Sequence, residues 1–212
     1  MCTGSQPAPA GLVLISPSSV TWQAVGSDGE VPDTASWTRG GRPLPWLALP
    51  TGAVMPQLVR NAWRVGRDIA AHRPSLLRLR PAYAAGLRAG PGAAAIPADR
   101  AHCPLLCLTG EDDQVWPSAA MAAALRAQRG DAFADAHVNY PGAGHLIRLG
   151  TLPTDAQWTG GIALGGTREG VDAAQRDATV RVLTFLRTVA EGRPVPVSSL
   201  RDPGSSGRPG LA

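Results

Sequence analysis

The chain has 212 residues, of which 44% are hydrophobic, enough for one sizeable domain with a buried core. Its 20 basic residues are all arginine and give a net charge of +4, but they are scattered, with no basic stripe and no interleaved aromatics, which argues against a nucleic-acid partner. No apolar run approaches the ~18 residues of a membrane span, and Met1 to Ser5 carries neither a charged n-region nor a long apolar h-region, so no signal peptide is expected.

Met1 to Ala10 is polar and Pro-rich, and is expected to be disordered. Gly11-Leu12-Val13-Leu14-Ile15-Ser16 is a continuous apolar run bounded by glycine and Ser-Pro, which predicts a strand buried on both faces, as in a parallel sheet. The serines that follow read as turn chemistry. Thr21 to Pro50 is rich in Gly, Pro, Trp and Ser without a sustained period. Trp22, Trp37 and Trp46 suggest either an excursion packed over a pocket or a loop pinned by aromatic anchors. Val54, Leu58, Ala62, Val65 and Ile69 recur at helical spacing and predict a helix over 54–71. A second helix is expected over 75–87, interrupted at Pro81, and 90–95 reads as a flexible linker.

Cys103 to Leu108 is the next strand. Ser118 is a plausible N-cap for a helix through Arg129, with Gly130 past its end and Arg126 and Arg129 in the last turn, where cations suit the helix dipole. His137 to Tyr140 is a shorter strand. Residues 149–166 read as loop, with Gly160-Gly161 and Gly165-Gly166. Thr167 then caps an amphipathic helix whose inner row is Val171, Ala174, Ala178, Val182, Phe185 and Val189. Gly192 and Pro194 stop it, and 193–212 is expected to be a disordered tail. This order of elements is the back end of a doubly wound α/β sheet.

Chemistry concentrates at two strand ends. Leu105 to Gly110 runs straight into Glu111-Asp112-Asp113, and Tyr140-Pro141-Gly142-Ala143-Gly144 leads to His145. Residues just past the carboxyl ends of parallel strands converge on one crevice. An acid and a histidine there suit a relay in which the histidine takes a proton and the acid fixes its tautomer. Asp112 and Asp113 compete for the acid. Gly165-Gly166 before a helix could cradle phosphate, but no Lys-Ser/Thr pair follows, and a loop-and-cap role fits better. His72, His102 and His137 read as structural or solvated. Cys2, Cys103 and Cys107 match neither a disulfide framework nor zinc spacing, so no metal or cofactor is expected, and the expected compartment is the cytoplasm.

The segments Ile15-Ser16-Pro17-Ser18-Ser19-Val20, Gly110-Glu111-Asp112-Asp113-Gln114-Val115-Trp116, Tyr140 to His145 and Gly165-Gly166-Thr167 resemble, in this order, the C-terminal domain of the acyl-CoA thioesterase / bile acid-CoA:amino acid N-acyltransferase family. The resemblance spans Gly11 to Leu186. It implies the C-terminal part of an α/β-hydrolase, a partial parallel sheet flanked by helices, occupying residues 11–192. It also implies an acyl-CoA or related thioester or ester substrate, and a place in acyl-CoA and fatty-acid metabolism. Carried over by position, Asp113 resembles the triad acid, His145 the triad base, and Asp112 a supporting acid. The family's serine or cysteine nucleophile sits in an elbow upstream of the strand matching 11–16, and no residue here matches it; Cys2 and Ser5 lie on an unstructured terminus. The expectation is therefore a fragment that is inactive alone, with strand 12–15 an open edge for pairing with another chain. The alternatives are a non-catalytic remnant serving as a binding module and an ester or dienelactone hydrolase.

Overall fold

The computed structural model describes residues 8–26, 30–150 and 162–196. Cys2 and Ser5, Gly160-Gly161, and the tail beyond Pro196 lie outside them.

Strands are numbered β1 to β7 and helices α1 to α4 in chain order. Strand β5 (Leu105–Gly110) is the axis of the fold. It pairs in parallel with β1 (Leu12–Ile15) on one side and with β6 (Ala136–Tyr140) on the other, giving the order β1-β5-β6. The register sets Leu12 opposite Leu105 and Gly110 opposite Tyr140. All six residues of β5 are buried. Its side chains alternate between faces, so both faces must be covered. Leu106 and Leu108, with Val138 of β6, pack on Ala174, Ala178, Val182 and Phe185 of helix α4 (Arg168–Ala190). Leu105 and Cys107 pack with Leu12 and Leu14 against Ala122 of helix α3 (Ser118–Arg129). Full burial of a side chain of this size stabilises by about 1.5–3 kcal/mol. The sheet is thus a partial α/β layer flanked by helices, and α4 presents the row the sequence predicts for it.

Several local expectations are revised. β1 is only partly buried, because among the described residues it pairs on one side alone. The helix expected over 75–87 is instead a short strand, β4 (Ser75–Leu76), followed by helix α2 (Arg80–Arg88). Pro81 sits in the first turn of α2, where its missing N–H costs nothing, so it begins the helix rather than interrupting it. β4 pairs in parallel with β7 (Ile162–Ala163), inside the stretch read as loop. Gly92–Ala94 forms a turn of 3-10 helix with Ala94 buried, not a flexible linker. The Thr21–Pro50 excursion contains a tight hairpin, β2 (Thr38–Arg39) with β3 (Arg42–Pro43), joined by Gly40 and Gly41, whose φ values of 56° and 76° only glycine adopts freely.

Helix α1 (Thr51–Ala70) is longer than expected and faces differently. Its buried residues are Asn61 and Asp68, while Ala62 and Ile69 of the predicted apolar row face outward. Ser118 does not cap α3. Pro117 occupies the N-cap position, and the Ser118 hydroxyl is buried without a hydrogen bond. Arg129 is not a surface cation at a helix end. It is buried, paired with Asp135 at 2.5 Å, and donates to the carbonyls of Ala98, Ala101 and Cys103. Ordered packing continues past Gly192, since Val195 is buried in the cluster around Phe185.

Truncating Phe185 to Ala should cost about 3–5 kcal/mol of stability through the lost burial and the cavity left behind. Leu183→Ala, on the exposed side of the same helix, should change stability by less than about 0.5 kcal/mol. Urea denaturation followed by circular dichroism distinguishes the two.

Candidate active site

The carboxyl ends of β5 and β6 are closed by backbone rather than by side chains. Gly110 ends β5 directly beneath the carbonyls of Ala143 and Gly144, so a Cβ there would collide with main chain. Gly144 meets Gly165 in the same way, and Gly165, at φ 99°, lies against the carbonyl of Asp112. Three loops therefore stack without side chains between them: the acid loop after β5, the histidine loop after β6, and the loop before α4. Hydrogen bonds lace them together. Asp112 N donates to Ala143 O at 2.9 Å, and Thr167 N to Gly142 O at 2.8 Å. The carbonyl of Leu164 accepts from both Gln114 N and His145 N, at 3.3 and 3.2 Å. Gly165 and Gly166 thus belong to this seam, and Thr167 caps α4 by accepting from Gly170 N at 3.0 Å.

This stack sets Asp113 beside His145. Asp113 Oδ2 lies 2.9 Å from His145 Nδ1. The carboxylate is 1% exposed, and its Oδ1 accepts from the backbone N–H groups of Val115 and Trp116 at 2.9 and 3.1 Å. One oxygen is thus fixed by the turn and the other is aimed at the imidazole. Arg80 donates to the carbonyls of Asp113 and Glu111 and ties α2 to the same loop. Trp116 sets its ring edge-to-face with the imidazole, centroids 5.1 Å apart at 81°. The imidazole is half-buried against these groups, and in the tautomer that carries a proton on Nδ1 that N–H donates to Asp113 while Nε2 is left as an acceptor. His145 Nε2 has no hydrogen-bond partner among the described residues. Asp112 is exposed and enters through its backbone, its carboxylate making no hydrogen bond among the described residues.

Ser16, read from sequence as turn chemistry, is a structural part of this site. Its Oγ donates to the carbonyl of His145 at 2.6 Å, its carbonyl accepts from Trp116 Nε1 at 3.1 Å, and its N–H donates to Leu108 O at 2.8 Å. It does so at φ 45°, a left-handed conformation that costs a non-glycine residue about 1–2 kcal/mol. The sequence signal was there, in a serine directly after an apolar run within a matched segment, but the partner 129 positions away was not. The other histidines stand apart. His137 Nε2 is 2.8 Å from Thr109 Oγ1, His102 lies near Phe133, and His72 is exposed just past α1. Cys107 is fully buried, and burial pushes its thiol up to about 12, which rules it out as a thiolate at neutral pH. Among the described residues no acid or histidine cluster suits a metal.

Trp116 also leads outward. Its ring meets Tyr83 edge-on at 5.7 Å, and Tyr83 meets Trp22 at 4.9 Å. These rings, with Trp37, Val20 and Ile96, line a cavity of about 570 Å³. Both indole N–H groups are already satisfied, Trp22 on Ser18 Oγ at 2.9 Å and Trp116 on Ser16 O, so their apolar faces are what the cavity presents. Of the tryptophans in the excursion, Trp22 is a packed anchor and Trp37 a largely exposed wall.

A family model described as BAAT / Acyl-CoA thioester hydrolase C terminal matches residues 54–191, a span that contains both Asp113 and His145. No curated protein matches the chain.

Gly144→Ala should destabilise the fold by about 1–3 kcal/mol or more, because the added carbon meets rigid backbone. The exposed Gly66→Ala, with nothing near its added carbon and inside a helix, should stabilise by a few tenths to about 1 kcal/mol. Thermal melts of the two variants check both. Cys103 and Cys107 should resist iodoacetamide in the native protein and react only on unfolding, as peptide mapping would show.

Proposed function

The chain belongs to the BAAT / acyl-CoA thioester hydrolase C-terminal family, and from that premise we propose that Asp113 and His145 are the acid and base of a nucleophile–His–acid relay acting on an acyl-CoA thioester. The observation that carries the reading is the 2.9 Å contact of a buried, doubly anchored carboxylate with an imidazole Nδ1, at the shared rim of two parallel strands. His145 Nε2 would take the proton of the attacking hydroxyl or thiol and return it to the leaving coenzyme A sulfur. Asp113 would hold the imidazole in the tautomer that makes this possible and stabilise the cation formed on the way. The cavity beyond Trp116 suits the apolar acyl group, one indole away from the base.

The attacking atom comes from outside the described residues. Three described hydroxyls near the site are committed elsewhere: Ser16 to the His145 carbonyl, Ser18 to Val20 and Trp22, Thr109 to His137 and Asn139. On this reading the described residues supply a relay and an acyl cavity that an upstream nucleophile would complete, and the 212 residues by themselves should show no thioesterase activity above background.

Two proteins, assayed with a saturated acyl-CoA and a thiol-detecting dye, test this: the chain as it stands, and the product of the coding sequence extended upstream. The extended protein should hydrolyse the thioester. There, Asp113→Asn should lower kcat by about 10⁴-fold and His145→Ala by about 10⁶-fold. Activity that survives His145→Ala in the extended protein would remove the base from the mechanism. Strong activity of the short chain, undiminished by Cys2→Ala and Ser5→Ala, would refute the external nucleophile.

A further inference from the structure

Helix α1 turns a mixed side inward, where Asn61 and Asp68 are buried beside the half-buried Val54, Leu58 and Val65, and a largely apolar side outward. Inward, Asn61 grips the backbone after β4 with both ends of its amide, donating to Arg78 O at 2.8 Å and accepting from Arg78 N at 3.2 Å. Arg64 donates to Leu76 O at 3.0 Å, and Asp68 takes Arg67 and Arg73 at 2.8 Å. Outward, Met55, Val59 and Trp63 follow at i, i+4 and i+8 and are 52%, 64% and 67% exposed. Ile69, 68% exposed, lies beside this row. A surface helix of a globular protein ordinarily keeps a row of large apolar side chains like this one against the fold.

The flanks say what covers this row. Between Thr51 and Arg88 the sequence holds seven arginines and a single acid, Asp68, which is already taken up by two of them. Arg67 stands over the Trp63 ring at 5.1 Å, and Arg60 is exposed one turn earlier. A second copy of this helix would set arginine against arginine with no acid to answer. Apolar side chains with an interfacial tryptophan, bordered by arginines, suit a bilayer surface of anionic lipid.

We propose that α1 is a peripheral membrane-docking helix. The row Met55, Val59 and Trp63 enters the headgroup–acyl boundary of an anionic bilayer, and Arg60 engages lipid phosphates. No helix of the described residues is long and apolar enough to cross a membrane, so the contact is with the surface. This assignment uses neither Asp113 nor His145 and stands apart from the relay.

Co-sedimentation of the whole chain with vesicles tests it. Phosphatidylglycerol-containing vesicles should bind at least about tenfold more tightly than pure phosphatidylcholine at low salt, and about 0.5 M salt should release most of the protein. Val59→Asp and Trp63→Asp should each weaken binding by about tenfold or more, with circular dichroism unchanged. Leu183→Asp, an equally exposed apolar site on α4, should bind like the parent chain. Absence of binding to both vesicle types overturns the proposal, as does binding that Val59→Asp and Trp63→Asp leave intact. A concentration-dependent dimer that Val59→Asp abolishes, without vesicle binding, overturns it in favour of a second copy.

Discussion

The close approach of three loops over the end of β5 is the constraint on which the site depends. Gly110, Gly144 and Gly165 let main chain lie on main chain, where any side chain would need the space of a neighbouring carbonyl. That contact brings the loop bearing Asp113 within a hydrogen bond of the loop bearing His145, and it lets one carbonyl, that of Leu164, hold both. Side-chain packing alone would leave the two groups on separate flexible loops, where ordering them would cost conformational entropy at each encounter. Here that cost is met in folding, so the imidazole is held in one orientation by the fold itself.

The apolar surroundings of the pair are tied to it by the same economy of parts. Ser16 closes β1 and at once anchors the His145 carbonyl and the Trp116 indole. Trp116 then passes the connection to Tyr83 and Trp22 through edge-to-face contacts. The excursion from Thr21 to Pro50 is therefore coupled to the imidazole through rings, although the chain between Trp22 and His145 covers more than a hundred residues. A left-handed serine is an uncommon choice for a turn, and its three hydrogen bonds account for why the conformation is held.

Helix α1 shows how far a hydrophobic period can mislead. The row Val54, Leu58, Ala62, Val65 and Ile69 is genuine in the sequence, but the helix turns so that Asn61 and Asp68 face the fold. Asn61 supplies hydrogen bonds to the backbone of Arg78, whose groups need partners where β4 stops pairing, and Asp68 pairs with Arg67 and Arg73. The same rotation places Met55, Val59 and Trp63 outside.

Read alone, the sequence determined the parallel sheet, the α4 row, and the two loops in which an acid and a histidine follow strand ends. These are local in origin: periodicity, apolar runs and turn residues act over a few positions. Residue spacing left Asp112 and Asp113 in competition and the family resemblance pointed to Asp113; the tertiary structure shows why, since Asp113 sits in the buried turn beside the histidine and Asp112 is exposed. It also decided the role of Ser16, the first-turn place of Pro81 and the rotation of α1. Each of those depends on a partner remote in sequence, and a hydrogen bond or a close approach between distant segments leaves no period in the chain that makes it.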